Sequence, residues 1–410
     1  MPAVNKHLFC LGVACSAFLG AEMSFAQIDP EHRELIQLGY TQPFEGAGPL
    51  AAYGFYYWND PGFIRTNITL RLAVAPVYLD SELGFSGVLS PHTDLAIGLA
   101  AGGFADSYYE VRKGHLYNDQ SYFGHSGEVS GSLYQLINPS QQIPLTYVLR
   151  VAAHYSFFDR TGDTASGFVL PPDRGVLSVR TGFRFGGREP LLFPDVAMEL
   201  SGWYEAQIRS ASGSYGYAGD REVEPTTHLL WARALLIYTL PESKQNISVN
   251  LTGGVSANTD RVSAYRIGGS LPLTSDFPLI LPGFYYQEVS ATRFALLSGQ
   301  WSVPLDTHRR WEFVALGSIA GVDYLSGFEL PDHVLGGVGA GIEYRSPSDR
   351  YQLMINYGYG INAVRSHGEG ANTVGFLCQI NLEAARNKHS LYFDSGSPEK
   401  SRGLFHLFGP

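Results

Sequence analysis

The stretch Tyr351-Gln352-Leu353-Met354-Ile355-Asn356-Tyr357-Gly358-Tyr359-Gly360-Ile361-Asn362 limits what this chain can fold into more than any other. Its odd positions are all Tyr, Leu or Ile, and its even positions are Gln, Met, Asn or Gly. Successive side chains of a strand point to opposite faces, so one face here is aromatic and apolar and the other small or polar. A soluble sandwich strand can read the same way, so the neighbouring segments have to decide.

They repeat the pattern with arginines on the inner phase. Ile68, Leu70, Leu72 and Val74 alternate with Thr69, Arg71 and Ala73. Tyr147, Leu149, Val151, Ala153 and Tyr155 alternate with Thr146, Arg150 and His154. Leu177, Val179, Thr181, Phe183 and Phe185 alternate with Arg180 and Arg184. A water-filled lumen tolerates such residues, whereas a dry sandwich core or a lipid face does not. Arg71, Arg150, Arg180 and Arg184, with Glu199, are therefore the candidate lumen-lining set. They would either line a pore or pair with one another to hold the barrel's shape.

Composition points the same way. Charged residues are only 16% of the chain, against roughly 25% in soluble proteins. Aromatic residues and glycine are plentiful, as girdles and a small-residue lumen require. After the first 26 residues no apolar run approaches the length of a helical span, so any membrane crossing has to be made by strands. The chain is predicted to be all-β, a transmembrane antiparallel barrel of outer-membrane type with about 14–16 strands. Closure satisfies every backbone group in lipid and leaves no edge.

Residues 1–26 read as a secretory signal peptide: Lys6 and His7, the apolar run Leu8 to Leu19, then Ser24-Phe25-Ala26 before Gln27. Residues 27–49 are expected to be a short periplasmic or lumenal segment, with a short helix over Pro30 to Leu38, and 50–410 the barrel. Within the barrel, 259–283 is a candidate lumenal loop, and 383–410 either a final strand or a tail.

Signals for chemistry are sparse. Gly124-His125-Ser126-Gly127-Glu128 lacks the last glycine of a nucleophile elbow, and no Walker-type or H-E-x-x-H motif occurs. His154 with Ser156, and Ser298 with His333, fall on the inner phase or in turns rather than at a lipid face, so no catalytic residue is assigned and the chain is not read as an enzyme. Outside the leader the single cysteine is Cys378, which allows no internal disulfide and no thiolate metal site, and no cofactor or metal is expected. The net charge of −10 excludes a general nucleic-acid binder.

Tyr265-Arg266-Ile267-Gly268-Gly269, then a long loop, then Phe294 to Leu305, followed by Gly339-Ala340-Gly341-Ile342-Glu343-Tyr344-Arg345-Ser346-Pro347, resembles the barrel end of the bacterial surface antigen superfamily. That family comprises outer-membrane assembly and two-partner secretion translocators. The resemblance covers about the last third of the chain, and Gly-x-Gly-Ile-x-Tyr-x-Ser-Pro is its most specific piece. It implies an outer-membrane location in a Gram-negative-type bacterium, contact with outer-membrane lipids, and a periplasmic or secreted partner chain. It also implies a loop folded into the lumen, which in this sequence would carry Arg266, Gly268, Gly269, Thr274, Asp276 and Phe277. The family's loop bears an Arg-Gly-aromatic motif that contacts the wall. Here Thr274-Ser275-Asp276-Phe277 stands at that distance, without Arg-Gly, and 27–49 is too short for a periplasmic polypeptide-transport repeat. The expected function is a translocation or assembly barrel, with a diffusion pore for small solutes as the alternative and a barrel-embedded lipid hydrolase as a weaker one.

Overall fold

A computed structural model describes residues 31–49, 51–187, 192–270 and 278–383. The first strands in chain order are β1 (Arg33–Pro43), β2 (Ala51–Pro61), β3 (Ile68–Ala75), β4 (Tyr78–Ser90), β5 (Thr93–Gly102), β6 (Tyr108–Arg112) and β7 (His115–Leu136). Next come β8 (Leu145–Arg160), β9 (Arg174–Gly187), β10 (Val196–Arg209), β11 (Gly213–Tyr215), β12 (Arg221–Val223) and β13 (Thr226–Thr239). The remainder are β14 (Asn246–Ala257), β15 (Tyr265–Ile267), β16 (Val289–Pro304), β17 (Trp311–Tyr324), β18 (Val334–Arg345), β19 (Tyr351–Arg365) and β20 (Gly368–Asn381). Setting aside β6, β11, β12 and β15, which belong to loops, sixteen antiparallel strands pair in sequence and close where β1 meets β20, from Leu35↔Asn381 to Pro43↔Thr373.

The strand count is the upper end of the expected range. The expected helix over Pro30 to Leu38 is corrected: Arg33–Pro43 is a strand, and the barrel starts there rather than at residue 50. A nine-residue helix is marginal in isolation. As a strand, this segment bonds to β2 on one side and β20 on the other, satisfying its backbone on both edges. The expected signal peptide and the tail beyond Glu383 lie outside the described residues.

Alternation sorts the two faces as read from the sequence. On β19, Ile355, Tyr357, Tyr359 and Ile361 are exposed on the outside, while Gln352, Met354 and Asn356 are buried on the inside. The ends of the barrel differ in their loops. One end carries both strand termini, Arg33 and Asn381, and compact connections such as 91–92, 240–245 and 346–350. The other carries 103–114, 161–173, 210–225, 258–288 and 325–333. Short turns at one end and long loops at the other are the asymmetry of outer-membrane barrels.

At the long-loop end a dome rises over the mouth. The β6–β7 hairpin extends beyond the main wall, and Tyr108, Tyr122, Phe158, Phe168, Tyr215 and Val223 pack as one buried cluster. Beneath it, Glu110 is fully buried and faces three guanidinium groups, those of Arg261 at 2.6 Å, Arg112 at 3.1 Å and Arg221 at 3.5 Å.

Candidate functional site

The described limbs of the segment 258–288, which joins β14 to β16, are 258–270 and 278–288, and both turn into the barrel. Asp260 starts it with an Asx-type turn, its Oδ1 accepting hydrogen bonds from the backbone of Val262 and Ser263, both at 3.0 Å. β15 then adds briefly to β16, pairing Tyr265↔Ala291 and Ile267↔Val289. Gly268 and Gly269 follow, with φ of 140° and 91°, and send the chain inward. A side chain at Gly268 would collide with the carbonyl of Tyr285 on the returning limb.

Inside, the segment lies directly against the wall. Asn356 of β19 donates to the Ser270 carbonyl at 3.0 Å, and Ser270 Oγ bonds Thr373 Oγ1 of β20 at 2.5 Å. Gly283, at φ 81°, passes so close to β19 that any side chain there would strike the Gly360 backbone. Ile267, Leu281 and Phe284 are fully buried against Leu296, Ala320, Leu335, Ala363 and Ala371 of the wall. Each buried side chain of that size contributes about 1.5–3 kcal/mol.

The firmest polar tie is ionic. Arg365, at the end of β19, forks onto Glu288 of the segment, with Nη1–Oε1 at 2.7 Å and Nη2–Oε2 at 3.1 Å. Both side chains are almost wholly buried, and the guanidinium also stacks 3.7 Å over Tyr285. Tyr285 in turn donates to the Glu45 carbonyl at 2.7 Å, reaching the 44–50 loop between β1 and β2. The missing Arg-Gly pair therefore does not leave the segment unheld. Here the arginine sits on the wall and its acid on the segment.

Of the residues expected on the loop, Arg266 donates to the Gln287 carbonyl at 3.0 Å and the Tyr109 carbonyl at 3.1 Å and stacks over Tyr108, joining the segment to the dome. Gly268 and Gly269 form the inward bend. Thr274, Asp276 and Phe277 lie outside the described residues.

Of the wall residues expected to face the lumen, Arg71, Arg150 and Arg180 are cross-linked to acids and Glu199 to an arginine on other strands of the wall. Arg150 reaches Glu128 at 2.8 Å and Glu82 at 3.9 Å, and Arg71 reaches Asp80 at 3.7 Å and Glu82 at 3.8 Å. Arg180 bonds Glu205 at 2.7 Å, Glu199 pairs with Arg233, and Arg184 stands in register with Thr146 and Ser201. Arg71, Asp80, Glu128, Arg150 and Arg180 keep part of their surface open, whereas Glu199 is buried. The sequence reading missed the partners Glu82, Glu128, Glu205 and Arg233, although each sits on the inner phase of its strand. It also missed Arg365, because a register shift between Gly360 and Val364 moves the inner phase from even to odd numbers.

His154 does come together with Ser156. Its Nε2 lies 2.7 Å from Asp106 and 3.0 Å from Ser156 Oγ, and Nδ1 is 3.5 Å from Glu128. The serine hydroxyl donates to Asp106 at 2.5 Å, so its proton goes to the carboxylate rather than to the imidazole. That arrangement does not activate a nucleophile.

A second inward element comes from the short-turn end. Phe193 is buried with Val314, Met354 and Leu377 of the wall, and Tyr286 of the 258–288 segment packs against the same cluster. Arg345 secures it by donating to the Phe193 carbonyl at 2.9 Å, and Arg309 bridges Asp195 at 2.8 Å and Glu312 at 2.9 Å. The two inward elements thus meet within the barrel.

No protein-family model and no curated protein matches this sequence. Solved structures do match the fold. CdiB from Acinetobacter baumannii superposes with a TM-score of 0.56 at 12% identity, covering 87% of this chain and 60% of its own. CdiB from Escherichia coli gives 0.56 at 12% identity, covering 88% and 67% respectively. BamA from Haemophilus ducreyi lacking POTRA domains 1–3 gives 0.54 at 12% identity, covering 91% and 79%. The chain therefore spans about 60% of the length of the first of these proteins. The shared feature is the fold, a closed antiparallel β-barrel, which in this chain has sixteen wall strands among the described residues.

Proposed function

We propose that this chain is an outer-membrane barrel of a Gram-negative-type bacterium, with its short turns toward the periplasm, that serves protein translocation or assembly together with a partner chain. Its lumen is shut at rest by the 258–288 segment, and passage requires that segment to undock. The observation that carries this reading is the buried Arg365–Glu288 pair beneath the segment's apolar contacts. A pore built for steady diffusion has no use for two elements that meet inside it. The apolar outer face of β19 and its neighbours is the surface lipid would cover.

Planar bilayers test the closure. The full chain is expected to conduct only in rare, brief openings, and a variant with 270–286 replaced by a short Gly/Ser turn is expected to conduct steadily. Steady solute-selective conductance of the unaltered chain would reject the closed reading and favour a diffusion pore. One observation supports that second reading: among the paired charges of the wall, Arg71, Glu128, Arg150 and Arg180 keep part of their surface open. Liposome-swelling rates with small sugars and amino acids distinguish the two.

A further inference from the structure

Six arginines converge on the dome: Arg174, Arg209 and Arg221 are buried and Arg112, Arg261 and Arg266 half-buried, against the buried carboxylates Glu110 and Asp260 and the half-exposed Asp220. Glu110 is shared by three of the arginines, and Asp260 is engaged by Arg209. Arg174 is 3% exposed and makes no ion pair among the described residues. Its polar contact is one long hydrogen bond, 3.5 Å, to the Pro172 carbonyl, and its buried Nε has no acceptor.

Two hydroxyl groups nearby are in the same position. Tyr122 and Tyr215 are 1% and 0% exposed, and neither Oη has a partner. Their rings stand edge to face at 6.5 Å, and Tyr122 is edge-on to Phe158 at 5.5 Å, the ring that Arg174 covers at 4.8 Å. The nearby carboxylates are already engaged: Asp260 accepts from Arg209, Glu224 N, Val262 N and Ser263, and Asp106 is held by His154 and Ser156. Three donors, one of them charged, are thus buried among aromatic rings whose positive edges also favour negative charge. An uncompensated buried guanidinium is costly, and a negatively charged acceptor is what this group lacks.

We propose that the dome holds a small inorganic anion, chloride or an oxyanion such as phosphate, bound by Arg174 with the Tyr122 and Tyr215 hydroxyls. Being internal to the dome, it acts as a fixed counter-ion that sets the stability of the long-loop end.

The test uses the full chain in detergent micelles at constant ionic strength, with sodium gluconate as the bulky background salt and sodium chloride or sodium phosphate titrated in. The thermal midpoint is expected to rise saturably with one of the two, and the one that acts identifies the anion. The rise is expected to vanish in Arg174→Met. No saturable rise with either salt, or an equal rise in Arg174→Met, overturns the proposal. If Arg174→Met does not fold, Tyr122→Phe and Tyr215→Phe each remove one donor while keeping the ring, and each is expected to weaken the anion's apparent affinity about tenfold. Unchanged affinity in both would also overturn it.

Discussion

The part of the wall covered by the inward segment and the part left open share one alternation and differ in what it turns inward. Under the segment, β18 to β20 present Leu335, Gly337, Asn356, Gly358, Gly360, Ala371 and Thr373, small or neutral residues that let backbone lie on backbone. From β3 to β13 the inner positions hold Arg71, Glu82, Glu128, Arg150, Arg180, Glu199, Glu205 and Arg233. Where a dry partner arrives, a charge would be stranded, so the Arg365–Glu288 contact there is forked and fully enclosed. Where water remains, charges can stand in a row so long as neighbours carry the opposite sign. Period-two patterning thus makes the barrel, and inner-face chemistry decides which side is filled.

The contrast can be broken most severely at the enclosed pair. Arg365→Met or Glu288→Gln leaves one partner buried alone and is expected to cost about 3–5 kcal/mol in urea unfolding from micelles. The double variant Arg365→Met with Glu288→Met should recover much of that loss. Single variants that unfold like the parent would mean the pair is not holding the segment. Next comes Gly283→Leu, which adds both a collision with β19 and an unfavourable φ. It is expected to cost about 1–3 kcal/mol from overpacking and a further 1–2 kcal/mol from strain, and to render the segment cleavable by protease.

On the open side the effect should be of another kind. Arg150→Met breaks a pair whose side chains are 28% and 24% exposed, so stability should change by less than about 1 kcal/mol, while ion selectivity through a segment-shortened barrel should shift toward cations. A large stability loss there would erase the distinction between the two sides.

The smallest expected effect concerns the 44–50 loop that Tyr285 touches. Burial raises the Glu45 pKa, but hydrogen bonds from the backbone and side chain of Asn372 outweigh it and bring the group below its usual 4.5. A carboxyl with a lowered folded-state pKa stabilises fully above its unfolded value and loses that contribution as pH falls through the folded one. Between neutral and acid pH the parent should therefore lose slightly more stability than Glu45→Gln, as read from paired urea midpoints. Parallel curves would remove Glu45 from the account.

The sequence by itself determined the architecture. Alternation is a local property, written residue by residue from Ile68 to Leu382, and together with low charge it implied a barrel, its outer face and the inner phase of Arg71, Arg150 and Arg180. The candidate lumenal loop over 259–283, with Gly268 and Gly269 in it, came from the family resemblance rather than from alternation. Only the tertiary structure decided that Arg33–Pro43 is a strand, because its backbone partners are β2 and, more than 300 residues later in the chain, β20. Likewise, Arg365 reads as an outer-phase residue until the shift after Gly360 turns it inward, and Glu288 carries no pattern at all. Phase can be read along one strand, but hydrogen-bond partners and ion pairs belong to segments far apart in the chain, and only closure of the barrel brings those together.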